Sequence, residues 1–304
     1  MRLAVAATPS VAIPTLEWLR SSEHEISFIV TQADRPAGRG KVLTPTAVGT
    51  WAMEQGIEIL KPMKISELLV PLKSVDLLLT IAFGTLLPID VLSVPKYGCV
   101  NMHFSLLPKW RGAAPVQRAI ENGDAGGGVT VFAMDKGMDT GPIFLQQGFE
   151  FPTDASSGDV LESLANLGPE LIAKTIEMIS QGVSPLPQPE LGVSYATKVT
   201  KADAEINWES KAEQIIRKIR AFTPEPGAWT LWRNSPMQIS RASLGHGCLE
   251  LSTGEILVRD GVIEVGCGDG SSILVQELTP AGKKKMSGQA WMNGARIETG
   301  ERFG

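Results

Sequence analysis

The chain has 304 residues, enough for a large core and two domains, and its 43% apolar and 20% charged residues are those of an ordinary folded protein. A net charge of −5 argues against indiscriminate nucleic-acid binding. The three cysteines (Cys99, Cys248, Cys267) are odd in number and lack C-x-x-C or Cys/His spacing, which argues against a disulfide framework and a structural zinc site.

In chain order, Leu3–Ala7 is an apolar run too short for the ~7–15-residue core of a signal peptide, and no stretch approaches the ~18 apolar residues of a membrane span. A cytoplasmic protein with no membrane association is expected. Leu3–Ala7 and Ile26–Thr31 read as strands flanking a helix at Val11–Leu19, with Ser10 as its N-cap, the opening of a parallel α/β sheet. The first turn reads A-A-T-P-S and lacks G-x-G-x-x-G, so no dinucleotide site is supported. Ala7 is expected in ordinary backbone. Gln32–Lys41 is a loop carrying Arg35, Arg39 and Lys41 directly after a strand. Thr46–Gln55 reads as helix, with Gly56 as its stop.

Val75–Ala82 (V-D-L-L-L-T-I-A) is the near-continuous apolar run of a strand buried on both faces, and it empties into Phe83-Gly84-Thr85-Leu86-Leu87-Pro88. Gly98–Pro115 begins as a buried strand and continues through a Ser-Leu-Leu-Pro turn. A helix follows from about Ala113 to Asn122. Gly128–Met134 is a further strand, ending in a turn with two carboxylates, Asp135 and Asp139; Asp135 is expected to shape that turn. Ile143–Phe149 reads as an antiparallel return strand and Ser157–Ser180 as one long amphipathic helix. The proline-rich Ser184–Pro189 marks a semi-rigid extended linker. Beyond it come a helix (Lys211–Ala221) and short alternating segments with Gly-rich turns, which suggest a small barrel. The predicted fold is therefore α/β, a Rossmann-like open parallel sheet over 1–183, then a linker over 184–204 and a β-barrel domain over 205–304.

Asn101 and His103 carry the chemistry. Residues i and i+2 of a strand share a face, so the carboxamide and imidazole stand side by side near a sheet strand's carboxyl end, where α/β sheets place ligands. An amide donor and an imidazole can stabilise the oxyanion formed when a carbonyl is attacked, and a carboxylate such as Asp139 can orient the ring or move a proton. Spacing alone does not link Asp139 to them. No serine or cysteine nucleophile is needed if the substrate brings its own amine. His24 and His246 look like surface-turn residues.

The runs N-x-H-x-S-L-L-P-x-W-R-G-A-A-P and M-D-x-G-M-D-T-G-P, with T-Q-x-D-R-P-A-G-R-G-K, I-R-A-F-T-P-x-P-G-A-W and P-A-G-K-K-K-M-S, resemble the 10-formyltetrahydrofolate-dependent formyltransferases over nearly the whole chain. The resemblance implies an OB-like C-terminal domain that binds tRNA and a catalytic trio of Asn101, His103 and Asp139. It implies folate contacts at Ser105, Leu106, Leu107 and Pro108, with Phe83, Gly84 and Leu86 on the pterin side. The implied reaction moves a formyl group from 10-formyltetrahydrofolate to the α-amine of methionyl initiator tRNA, with no metal. Arg35, Arg39 and Lys41, and Lys283, Lys284 and Lys285 from the second domain, are the implied tRNA contacts, and a monomer is expected. Alternatives are a folate-dependent formyltransferase acting on a small amine (glycinamide ribonucleotide or an amino-sugar nucleotide), a non-catalytic RNA-binding protein, and hydrolysis of formyl-folate.

Overall fold

The computed structural model describes residues 1–37, 40, 42–246, 251–259 and 261–304. The chain begins β1 (Arg2–Ala7), α1 (Ile13–Ser21), β2 (Glu25–Val30), β3 (Arg35–Ala37), β4 (Val42–Thr44), α2 (Ala47–Glu54), β5 (Ile59–Leu60), β6 (Leu77–Ile81) and α3 (Ile89–Leu92). It continues β7 (Cys99–His103), β8 (Arg111–Gly112), α4 (Pro115–Asn122), β9 (Gly126–Ala133), β10 (Ile143–Glu150), α5 (Ser157–Ala165), α6 (Gly168–Ser180) and β11 (Tyr195–Ala196). The last part holds α7 (Ala212–Phe222), β12 (Trp229–Trp232), β13 (Ser235–Leu244), β14 (Ile256–Arg259), β15 (Val262–Gly266), β16 (Ser272–Pro280), β17 (Met286–Ser287) and α8 (Gly288–Ala295). Two compact units result: Met1–Pro115 with Gly126–Glu150 and Leu161–Ala196, and Val116–Ala125 with Phe151–Val160 and Thr197–Gly304.

The first unit is built on a seven-stranded sheet in the order β10-β9-β7-β6-β1-β2-β5. The strands from β7 to β5 run parallel, whereas β9 and β10 are antiparallel additions on one edge. β1 and β6 lie in its interior because their sequences are apolar on both faces: all five residues of β6 and five of six in β1 are buried. Each such Leu, Ile or Val side chain contributes about 1.5–3 kcal/mol on burial. Ala7 ends β1 in ordinary backbone, as expected.

Two local expectations are corrected. Ser10 caps nothing: it opens a 3-10 turn (Ser10–Ala12), and α1 starts without a side-chain cap, on Pro14 in its first turn. Ser157–Ser180 is two helices, not one. Pro169 has no N–H to continue the ladder from α5 and instead sits in the first turn of α6. Beside it Gly168 packs so closely on Thr15 and Met102 that a Cβ would collide with the Thr15 hydroxyl. Thr46 caps α2 by accepting from the Gly49 N–H, and Gly56 follows the helix at φ +68°.

The second unit centres on the antiparallel order β12-β13-β16-β15-β14, with β17 paired to β16. Its core gathers Trp208, Ile215, Ile219, Ile239, Ile263 and Trp291. Trp208 and Trp291 both stack on Phe303, at 5.5 and 5.9 Å between centroids. The short helix α8, capped by Ser287, has no counterpart in the sequence reading; its two glycines mask it, and burial of Trp291 anchors it. Among the described residues no helix is long and apolar enough to cross a membrane.

Candidate active site

The site forms where β6 and β7 end. Thr80 and Asn101 stand opposite each other on these parallel strands. The Thr80 hydroxyl donates to Asn101 Oδ1 at 2.7 Å, with Val100 O and Met134 Sδ farther away at 3.2 and 3.3 Å. With Oδ1 accepting that hydroxyl, Nδ2 is the end of the amide left to donate.

Two residues on, His103 is buried, and its Nε2 lies 2.9 Å from the carbonyl oxygen of Trp110. A carbonyl only accepts, so Nε2 carries a hydrogen and donates it. That leaves Nδ1 as the nitrogen free for chemistry, and Asp139 Oδ2 faces it at 3.7 Å. The Asp139 carboxylate is itself anchored, accepting the Gly112 N–H at 2.8 Å through the same oxygen.

Asp139 reaches this place by an indirect path. β9 is antiparallel to β7, so the chain leaves β9 beside Cys99, where the Met134 N–H donates to Cys99 O. His103 lies four residues farther along β7, roughly 13 Å at strand rise. The Asp135–Pro142 turn therefore runs back along the sheet. Asp135 shapes it as expected, accepting from the Gly137 N–H and the Thr140 hydroxyl at 2.9 and 2.7 Å. Gly141 fits against Ala133 O where no Cβ has room, and Asp139 adopts φ +54°, the left-handed region. Trp110, on the other side of His103, is left-handed as well at φ +62°. Two non-glycine residues in that region, one on each side of a single imidazole, are conformations that only surrounding contacts sustain.

Among the described residues on β7 and the turn after it, neither Cys99 nor Ser105 is poised as a nucleophile. Burial pushes the Cys99 thiol up to about 12, and the Ser105 hydroxyl is committed to Lys109 O at 2.6 Å. The arrangement offers an outward amide, an imidazole with one open nitrogen and a carboxylate, the set for polarising a carbonyl and moving protons around it.

Residues 1–176 match the family model described as formyl transferase, and residues 198–296 match the formyl transferase C-terminal domain. A methionyl-tRNA formyltransferase of Acidothermus cellulolyticus is 41% identical over 325 residues, covering all of both chains. One from Streptomyces griseus is 42% identical over 311 residues, again covering both completely. The chain belongs to the methionyl-tRNA formyltransferase family. Among solved structures, a methionyl-tRNA formyltransferase from Clostridium thermocellum superposes with TM-score 0.58 at 19% identity, over 88% of this chain and all of that one. An N-formyltransferase from Helicobacter canadensis, in complex with folinic acid and dTDP-3-aminofucose, superposes with TM-score 0.68 at 20% identity over 90% and 98%. At these identities the two structures speak for the fold alone.

For this member of the methionyl-tRNA formyltransferases, the trio Asn101, His103 and Asp139 lies together at one sheet end. The expected folate residues divide. Ser105, Leu107, Pro108 and Phe83 are buried, and Phe83 belongs to the sheet's hydrophobic core. Leu106, half-buried over Gly128, and the exposed Gly84 and Leu86 are the ones open to a ligand. The Ser105–Leu107 turn is fastened from below: the Thr130 hydroxyl donates to Ser105 O and accepts the Leu107 N–H, and Gln146 Nε2 donates to Leu107 O.

Of the expected tRNA contacts, Arg35 is exposed on β3, which pairs antiparallel with β4. Arg39 and Lys41 lie outside the described residues. Lys283, Lys284 and Lys285 are exposed between β16 and β17, with Lys285 paired to Glu277 at 3.0 Å. Sequence reasoning missed Thr80, although one hydroxyl inside the otherwise apolar Leu77–Ile81 was a usable signal. It also missed Gln188 and Ser194, which no local pattern marks.

Proposed function

We propose that this protein transfers the formyl group of 10-formyltetrahydrofolate to the α-amino group of methionyl initiator tRNA, with Asn101, His103 and Asp139 as the catalytic residues. The folate donor supplies an electrophilic formyl carbon on a nitrogen that departs. The acceptor amine, with an ordinary pKa of ~7.7–8.0, is partly neutral at pH 7 and attacks directly, so no covalent enzyme intermediate is required.

Asn101 Nδ2, aimed by Thr80, donates to the formyl oxygen as charge develops there, an interaction worth about 2.7–4 kcal/mol in comparable sites. His103 keeps Nε2–H on Trp110 O and exchanges protons through Nδ1. Asp139 stands beside that nitrogen as counter-charge, held by the Gly112 N–H. The residues present suit the donor: Leu106 and the Gly84–Leu86 segment would give it apolar and backbone surface, with Asn101 at the reacting end. Arg35, Arg39 and Lys41, with Lys283, Lys284 and Lys285, would meet the tRNA phosphates.

The observation that carries the reading is His103 Nδ1 facing Asp139 Oδ2 at 3.7 Å, two strand residues from Asn101. Mixing the protein with 10-formyltetrahydrofolate and methionyl-tRNA should give N-formylmethionine after deacylation. Formylation of a small amine with the charged tRNA inert would overturn it, as would release of formate without any amine. The relatives from Acidothermus cellulolyticus and Streptomyces griseus, both named for the tRNA reaction, do not favour either alternative.

A further inference from the structure

Residues 184–197, within the stretch read on sequence as an extended linker, lie between the two family-model matches. Most of it is exposed from Ser184 to Tyr195, and the polar side chains in that run that turn inward are Gln188 and Ser194, each half-buried. Gln188 Nε2 donates to Asp139 O and to Gly141 O, both at 2.8 Å. Its Oε1 accepts from Arg111 Nε at 3.2 Å and Nη2 at 2.6 Å. Carbonyls only accept and a guanidinium only donates, so this amide has a single orientation, with both hydrogens and both lone pairs in use.

What Gln188 joins is informative. Arg111 lies between Trp110, whose carbonyl takes the His103 Nε2–H, and Gly112, whose N–H grips Asp139 Oδ2. On the other side, Gln188 holds the main chain of Asp139 itself, at its left-handed turn. The same segment adds the Ser194 hydroxyl, which accepts the Trp110 N–H at 3.0 Å, and β11, which pairs with β8. Gly112 lies so close to Ala196 O that a Cβ there would clash.

We propose that Gln188 is a positioning residue for formyl transfer: it ties the Asp139–Gly141 turn to the Trp110–Gly112 segment and so sets the approach of the Asp139 carboxylate to His103 Nδ1. The proposal rests on the reading of Asp139 as a catalytic group. It makes the inter-domain segment part of the catalytic machinery rather than a spacer.

The test is a double-mutant cycle on the full-length protein with methionyl-tRNA and 10-formyltetrahydrofolate. Gln188→Leu keeps the side chain's size and removes all four bonds. It should lower kcat about 10- to 100-fold while KM for each substrate stays within about threefold, as expected for a group that aligns rather than binds. In the Asp139→Asn background, the same substitution should cost no more than about threefold further, because the carboxylate it aligns is gone. Gln188→Glu, which keeps an acceptor for Arg111 but loses both donors to the turn, should lower kcat as Gln188→Leu does; it replaces the leucine variant in the cycle if that protein does not fold. An unchanged kcat, or a full loss that adds to that of Asp139→Asn, overturns the proposal. If Asp139→Asn alone is as active as the parent, the reading of Asp139 fails, and the positioning role with it. That outcome is distinct from a Gln188 effect that is absent or additive.

Discussion

Thr80 and Asn101, paired across two parallel strands, share a 2.7 Å hydrogen bond in which the threonine hydroxyl is the donor. With Oδ1 occupied, the amide offers its N–H group at the sheet's end, where a developing oxyanion needs a donor. In Thr80→Val the shape is kept and the hydroxyl lost, so the amide is free to turn over. We expect kcat to fall about 5- to 30-fold, the equivalent of about 1–2 kcal/mol for one hydrogen bond, with folate affinity unchanged. A parent-like kcat in steady-state assays would show that the amide needs no such support.

In the proposed reaction Asp139 supplies both charge and geometry, and Asp139→Asn separates them. The asparagine can still accept the Gly112 N–H, so the turn should keep its form, but the negative charge beside His103 is gone. We expect kcat to drop by about 10²-fold or more and the pH–rate profile to change shape. A profile that overlays the parent's would mean that the carboxylate acts only as a strut.

How much of this was legible in the sequence follows from how local each feature is. The buried run Leu77–Ile81 and the N-x-H pair on β7 are written in the period of a strand, so the sheet's interior and one face of the site could be read directly. Asp139 could not be placed by spacing, because its approach depends on a turn that folds back over β7. Gln188 was hidden further still: a proline-rich context reads as linker, and its partners at Arg111 and Asp139 are tens of residues away. The break between α5 and α6 was visible in principle, since Gly168-Pro169 interrupts an otherwise continuous amphipathic pattern.

The cysteines give a pH-dependent test of packing. Burial pushes the Cys99 thiol up to about 12, and burial together with the charge of Asp269 does the same for Cys267. Each folded thiol keeps its proton where an unfolded one, with an ordinary pKa of ~8.5, starts to lose it. The folded state then binds more protons, so this contribution to stability is whole below pH ~8.5 and is lost as pH rises toward 12. Iodoacetamide at pH 8 should leave both residues unmodified in the native protein and label both in denaturant, as read by peptide mass mapping. Rapid native labelling of Cys99 would contradict the buried strand.

Lysines 283 to 285 should not contribute equally to tRNA binding. Lys285 is paired to Glu277 at 3.0 Å, so part of its charge is already compensated. The double variant Lys283→Ala/Lys284→Ala should raise KM for tRNA several-fold and reduce the steepness of its salt dependence by about 1–2 in the log–log slope. Lys285→Ala should do less, and none should alter folate affinity. Titration over a range of salt concentrations distinguishes these cases, and a Lys285 effect equal to the double variant's would contradict the ranking.

Single-turnover transfer from enzyme-bound 10-formyltetrahydrofolate to methionyl-tRNA, compared for the parent, Asn101→Ala and His103→Ala, examines the chemistry without product release. Each variant should bind the folate normally and transfer the formyl group about 10²- to 10³-fold more slowly. Transfer at the parental rate by either variant would remove that side chain from the reaction and contradict the site described here.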